Sequence, residues 1–499
     1  MRTPFEHPAR LRALAVQHGA ALPTLAPFRY LELACGLGGE LLPLAARFPE
    51  STFVGSTDAE FLATARADAS RCGLANLTFT TEAELEGRFD FVIANDVYAT
   101  LSRSEQGRLL GRIARHLAPD GVAAIAYPTL PGASFRRFVR ETLARPSRAE
   151  MSAHEQLACV KGRLSDLARH LPEGSSAHVE LLRDELERAF VEATTRPAAL
   201  FSLGGEALHV ADVLLAARRQ GLEFLCDAAP ATGEGELETS FVPLLVADGL
   251  PRLEAEEILD LVSERPARAS LFVHAGRPIS GEAVVAPLCA AGYFAGSFTV
   301  LEAEPELARG VVQSFATRPG PVIATDEPAL KAALLSLADA WPEGLREPQL
   351  RATLAERLGR DGVAVTDADV DATRLDLEEL VRRRQLEVLP WTPSSPEPLG
   401  DRPRLHPWAR IELERGMPLT SVRHEPVELD PAVAAVALLL DGTQSLAACA
   451  AALGAAIAAG TLTIDALPSA PEVRTNVLHD VVASLAEKLR RLGLLEDRR

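Results

Sequence analysis

At 499 residues the chain is too long for one ordinary core, and about 150 residues per domain gives three or four units. The formal net charge of −18 argues against a nucleic-acid partner, because a polyphosphate requires a basic surface and no arginine-rich run with interleaved aromatics is present. Hydrophobic residues make up 47% of the chain but aromatic ones only 5%, so alanine runs such as LAACAAALGAAIAAG supply much of the apolar count and build shallow cores.

Cys35, Cys72, Cys159, Cys226, Cys289 and Cys449 are scattered, with no CxxC pair and no histidine nearby at ligand spacing. They read as reduced thiols of a cytoplasmic protein, with no disulfide and no metal site expected. The N-terminal MRTPFEHPARLRAL lacks the apolar core of a signal peptide, and no apolar run approaches the roughly 20 residues of a membrane span. A soluble protein with no membrane partner is the expectation.

In chain order, HPARLRALAVQHGA has the period of an amphipathic helix and leads through prolines into FRYLEL, the first strand. Its apolar run breaks into a turn holding Gly36, Gly38 and Gly39, after which LLPLAARF resumes at helical spacing. The strands TFVGS, LTFT, FDFVIAN and GVAAIAY follow, separated by helical patterns from about Ala59 to Cys72 and from Ser104 to Leu117. Five short β-rich runs alternating with helices predict a parallel sheet wound on both faces.

After Tyr127 only helical periodicity remains, in FRRFVRETLA, HEQLACVKGRLSDLARHL and AHVELLRDELERAFVEA. Strands return at LEFLCDA and ASLFVHAG. The predicted organisation is a nucleotide-type core over 1–145, a helical insertion over 146–205 that serves as a lid or dimerisation element, and completion of the sheet by strands six and seven over 206–276. A winged-helix-like unit of three helices and a strand follows over 310–390, then a proline- and serine-rich linker over 391–404 and a C-terminal helical unit over 405–499.

Polar groups fall at the carboxyl ends of the predicted strands, the edge where open α/β sheets bind ligands: Glu32 and Gly36, Thr57 and Asp58, Glu82, Asn95 and Asp96, and Tyr127. An acid some 20 residues after a glycine turn is the expected partner of ribose hydroxyls, and Asp58 stands at that distance from Gly38. Asp58 is equally placed to cap the helix that starts at Ala59.

The stretches ELACGLGGELLPLAARFPESTFVG, FDFVIANDVYATL and HLAPDGVAAIAYPTLPG resemble class I methyltransferases that use S-adenosyl-L-methionine (SAM). With LHVADVLLAARRQGLEFLCDA, EEILDLVSERPARASLFVH and LTSVRHEPVELDPAVAAVALLLDGTQSLAACAAAL, the chain is similar to the bacterial group in which such a domain precedes a methyltransferase regulatory region and a protein-lysine-methyltransferase-type C-terminal domain, the group of the rickettsial outer-membrane-protein lysine methyltransferases. The resemblance implies a Rossmann-like α/β fold, SAM as cofactor, and methyl transfer to a protein side chain, lysine in this group, often by dimers. It implies that Glu32, Cys35, Gly36 and Gly38 shape the amino-acid end of the cofactor pocket, that Thr57 and Asp58 hold the ribose, and that Glu82 approaches the adenine. Asn95, Asp96, Val97 and Tyr98 would line the methyl-donor site. Tyr98 and Tyr127 are the candidates for orienting the acceptor amine, each with a structural hydrogen bond as its alternative role.

The chain also departs from the group's pattern. Ala34 replaces the first glycine of the turn and Leu37 an acid within it; Thr57 stands where the ribose acid is usual, with Asp58 one residue late. Leu130 and Ala133 replace aromatic residues after strand five, and Thr100 replaces a tryptophan. A second reading is therefore a relative that has lost catalysis and works as a binding or scaffold partner, for example by pairing with an active homologue.

Overall fold

The computed structural model describes residues 4–20, 25, 27–145, 151, 153–171, 176–195, 205–228, 240–279, 284–317, 322–394, 397–459 and 471–496. A turn of 3-10 helix, Pro4–Glu6, leads into α1 (Pro8–Gln17). The sheet then begins: β1 (Arg29–Leu33), α2 (Leu41–Arg47), β2 (Thr52–Ser56), α3 (Ala59–Arg71), β3 (Leu77–Thr80), β4 (Phe89–Ala94), α4 (Arg103–His116) and β5 (Leu117–Pro128). Helices α5 (Gly132–Ala144), α6 (Ala153–His170), α7 (Ala177–Thr195) and α8 (Val210–Arg219) intervene before β6 (Leu222–Asp227), α9 (Val242–Ala247), α10 (Arg252–Ser263) and β7 (Ala267–His274).

These seven strands form one sheet in the order β3-β2-β1-β4-β5-β7-β6, with β7 antiparallel to both neighbours and the pairs from β3 to β5 parallel. The sequence patterns account for the layering. Tyr30, Phe53, Phe91, Val122 and Ala124 point to the face that carries α2, while Leu31, Val92, Ala123, Ile125 and Tyr127 pack with Leu109, Ile113 and Val213 of the α4 and α8 layer. Alternate residues thus serve opposite faces. Helix α4 starts where the sequence supplies a capping box: the Ser102 amide donates to Glu105 Oε2 at 2.9 Å.

Beyond the sheet come α11 (Val285–Ala291), β8 (Tyr293–Ala295), β9 (Thr299–Val300), β10 (Gln313–Ala316), β11 (Val322–Thr325), α12 (Pro328–Ala340), α13 (Glu347–Arg360), α14 (Asp367–Arg382) and β12 (Glu387–Leu389). The three helices and the strand predicted here are present, and β12 pairs antiparallel with β8, which precedes them. Their core is separate from that of the sheet, centred on Leu334, Leu337, Leu350, Leu354 and Leu377.

The last unit holds α15 (Pro407–Glu414), the paired strands β13 (Leu419–Thr420) and β14 (Pro426–Val427), α16 (Pro431–Ala437), α17 (Leu446–Ala458) and α18 (Pro471–Arg491). It is not tethered loosely. Leu405, Trp408, Ile411, Leu453 and Leu489 belong to one continuous core with Phe48, Phe53 and Leu44 of the sheet domain. The Arg47 guanidinium lies 4.9 Å from the Trp408 ring centre and donates to the Thr420 carbonyl at 2.9 Å. Arg71 pairs with Glu414 at 2.7 Å, and Arg415 pairs with Asp68. Trp391, in the stretch read as a linker, packs its ring 4.7 Å from His7 and 5.6 Å from Phe48. No helix among the described residues is long and apolar enough to cross a membrane.

Candidate functional site

The strand order reverses between β1 and β4: one connection from β1 runs outward to β2, and the chain later returns to β4 on the other side. Loops leaving the carboxyl ends of β1 and β4 therefore diverge and leave a crevice between them, the place where open α/β sheets bind ligands. The loop after β1 places a left-handed residue at every second position, with φ of 54° at Ala34, 55° at Gly36 and 68° at Gly38. Side chains resist that conformation, which is why glycines recur there.

Three contacts fix this loop. The Cys35 amide donates to the Ser56 carbonyl at 3.0 Å, Thr57 Oγ1 donates to the Gly36 carbonyl at 2.7 Å, and the buried Phe79 ring leaves no room at Gly38, where a Cβ would stand 2.3 Å from Cε1. At Gly36, by contrast, a Cβ would meet nothing within 4 Å. The loop is packed from below and open above, which fits the close approach of a nucleoside-type cofactor. Thr57 closes the loop internally rather than offering its hydroxyl outward. Asp58 next to it is exposed and caps α3 by position with no side-chain capping bond, so its carboxylate is accessible at the end of β2.

The remaining predicted residues divide between the crevice and the core. Glu32, buried in β1, lies in register between Gly55 of β2 and Ile93 of β4. Asn95 donates through Nδ2 to Glu6 Oε1, and Asp96 is exposed on a left-handed backbone with φ of 54°. Glu82 is held by Arg112, which draws it toward α4. Tyr98 and Tyr127 are both buried, with ring centres 6.1 Å apart in the α4 and α8 layer, and the Tyr127 hydroxyl shares a 2.8 Å hydrogen bond with Ser270 Oγ. The structure thus places these two rings in the wall behind the crevice instead of at its mouth. Burial pushes the Tyr98 hydroxyl up to about 12, with Asp212 adding to the effect, and burial raises Tyr127 further. The Cys35 thiol is likewise raised by burial, with Glu32 second, which disfavours its thiolate.

Residues that the sequence pattern did not single out gather beside the glycine loop. Glu6 precedes α1, Glu40 ends the glycine loop, and His424 lies between β13 and β14. Burial, reinforced by Glu40, pushes the Glu6 carboxyl up to about 8. The Tyr30 hydroxyl donates to the Glu6 carbonyl at 3.0 Å and anchors that turn to β1. No local signal announces this group, because its members come from three distant segments.

The comparisons with known proteins agree with this geometry. The methyltransferase domain model matches residues 31–123, and the model of the PKMT C-terminal winged helix domain matches residues 401–494. The structure is similar over 99% of its length to 98% of PKMT2 from Rickettsia typhi in complex with AdoHcy, with a TM-score of 0.79 at 21% identity, a likeness of fold. An uncharacterised protein of Rickettsia prowazekii is 29% identical over 189 residues, 36% of this chain and 76% of that protein. A second one is 24% identical over 277 residues, 54% of this chain, and the match spans half of that relative's length.

The sheet and its crevice have the Rossmann-like fold of class I methyltransferases, and residues 31–123 match the methyltransferase domain model. The winged helix at the C-terminus narrows this: the chain pairs a methyltransferase domain with a PKMT-type winged-helix domain, which occupies the segment predicted as the C-terminal helical unit.

Proposed function

We propose that this protein is a SAM-dependent methyltransferase that modifies a lysine side chain of a protein substrate. The observation that carries the reading is the glycine loop at the β1–β4 switch point, packed by Phe79 below and open above Gly36, with an accessible Asp58 one strand away. When bound, SAM supplies an electrophilic methyl group on its sulfonium.

The chain's own residues have four tasks. The left-handed loop from Ala34 to Gly38 lets the backbone approach the cofactor, with Glu32 and Cys35 beneath its amino-acid end. Asp58 accepts hydrogen bonds from the ribose hydroxyls, a role for which Thr57 is already committed to Gly36. Asn95 and Asp96 line the donor site after β4. Glu82, drawn to Arg112, stands at the rim of the adenine region. Tyr98 and Tyr127 act as positioning residues that hold the wall against which the neutral amine is aligned, since methyl transfer depends on in-line placement and exclusion of water. On this reading the protein works in the cytoplasm, as a homodimer or paired with a homologue.

Titration calorimetry with SAM and S-adenosylhomocysteine, followed by transfer of labelled methyl to protein acceptors, tests the proposal. Binding below about 0.1 mM is expected; no binding of either ligand at millimolar concentration would overturn it.

A further inference from the structure

One set of side chains of metal-ligand type, two buried and one half-buried, lies beside the crevice and has no task in methyl transfer. Glu6 is 0% exposed, His424 1%, and the Glu40 side chain 15%. His424 Nε2 stands 3.2 Å from Glu40 Oε2 and 3.5 Å from Glu6 Oε2, and one ligand atom from each of the three residues lies within 4.8 Å of the others. Neither ring nitrogen of His424 makes a hydrogen bond, and Glu6 Oε2 makes none either. His424 Nε2 is thus aimed between two carboxylates at ion-pair distance without a well-formed hydrogen bond to either, and a buried imidazole and carboxyl so placed are better satisfied by a cation at their focus.

The neighbouring guanidiniums do not fill that role. Arg10 is taken up by Glu387 at 2.6 Å and Glu425 at 3.0 Å, and Arg423 by the Pro342 carbonyl at 2.6 Å and Glu387 at 3.2 Å. The spacing itself points to a metal. An ion bound tetrahedrally at about 2.0–2.1 Å holds its ligand atoms about 3.3 Å apart, and His424 Nε2 stands 3.2 and 3.5 Å from the two carboxylate oxygens.

We propose that Glu6, Glu40 and His424 form a binding site for a divalent transition-metal ion of the zinc class. The imidazole selects that class over magnesium or calcium, which take all-oxygen sets. The ion would tie three segments together: the turn before α1, the end of the glycine loop, and the hairpin of the C-terminal domain. It would thereby fasten the winged-helix domain to the loop of the candidate cofactor crevice. The sequence reading expected no metal, because these ligands have no spacing in common.

The test uses the full chain without an affinity tag, stripped with chelator. Calorimetry should show one zinc per chain with a Kd at or below about 10 µM and a rise in thermal midpoint with added zinc. Glu40→Gln and His424→Asn should each weaken binding at least tenfold while circular dichroism shows them folded. Asparagine is chosen because His424 has φ of 61° and asparagine tolerates that region. Cobalt(II) titrated into the unmutated chain gives a readout independent of variant folding, the visible bands of a low-coordinate site. Zinc uptake absent at about 0.1 mM, uptake unchanged in both variants, or a cobalt spectrum that stays that of the hydrated ion would each overturn the proposal. SAM affinity measured on the stripped chain is a separate readout. Its persistence alongside failed zinc uptake would sink the metal site alone.

Discussion

The glycine loop offers a sharp comparison between two positions two residues apart. Gly36 and Gly38 both have left-handed backbones, at φ of 55° and 68°. An alanine there costs roughly 1–2 kcal/mol of backbone strain, offset by roughly 0.5–1 kcal/mol because alanine has less freedom to lose from the unfolded chain. Gly36→Ala should therefore lose only about 1 kcal/mol, as its new methyl meets nothing within 4 Å. Gly38→Ala carries the same strain plus an overlap with the buried Phe79 ring, at 2.3 Å from Cε1 and 2.4 Å from Cζ. Forcing extra volume into a packed site costs about 1–3 kcal/mol more. The expected order is wild type, then Gly36→Ala, then Gly38→Ala, with about 2 kcal/mol between the two variants. Guanidinium unfolding followed by tryptophan fluorescence is well placed to read it, since Trp391 and Trp408 pack against Phe48 and Arg47 at the end of α2. Cofactor affinity should rank differently: Gly36→Ala puts its methyl on the open side and should weaken SAM binding at least tenfold despite its smaller stability cost. Equal stability of the two variants would refute the packing argument, and wild-type SAM affinity in Gly36→Ala would refute the assignment of the cofactor to this face. Phe79→Ala should restore part of the stability lost in Gly38→Ala but none of that lost in Gly36→Ala.

Ala34, left-handed at φ of 54° and exposed, sets up the reverse change. Ala34→Gly should raise stability by about 0.5 kcal/mol, and a lowered thermal midpoint would contradict the strain. Asp58→Ala should leave stability within about 0.5 kcal/mol, because Asp58 makes no capping bond, and should weaken SAM binding about tenfold through the lost charged hydrogen bonds; unchanged calorimetric affinity would mean the ribose is held elsewhere. Arg10→Ala removes the shared partner of Glu387 and Glu425 and should cost about 1–2 kcal/mol in denaturant unfolding, since both carboxylates are one-third exposed and partly solvated. Burial would raise the Glu387 carboxyl, but Arg10 and then Arg423 more than offset it and hold it below the usual glutamate range. A depressed acid stabilises the fold fully above its unfolded pKa and loses that contribution as pH falls through its folded one. The stability advantage of wild type over Glu387→Gln should thus be present at pH 7 and disappear on acidification; an advantage unchanged by acid would contradict the pairing.

Much of the architecture was legible in the chain itself. The short apolar runs FRYLEL, TFVGS and FDFVIAN mark strands buried on both faces, and the glycines after FRYLEL mark a turn with left-handed positions, found at Ala34, Gly36 and Gly38. The Rossmann-like fold with SAM as cofactor was expected through the resemblance, and the comparisons support that expectation; the strand order came from the structure. Residue placement within the site was less legible. Tyr98 and Tyr127 look like site residues because each falls at a strand's carboxyl end, yet the pleat of β5 turns Tyr127, and a 3-10 turn after β4 turns Tyr98, into the α4 and α8 layer. Glu82 follows β3, but Arg112, thirty residues on, decides where its carboxylate goes.

The sequence by itself determined the local geometry: where strands stop, where glycine is required, and which helices begin at a capping box. Those properties depend on neighbours a few residues apart. Only the tertiary structure decided that Trp391 packs against the sheet domain, that the C-terminal core is continuous with Phe48 and Phe53, and that Glu6, Glu40 and His424 converge. Such meetings depend on how whole elements dock, and nothing in the spacing of residues along the chain encodes them.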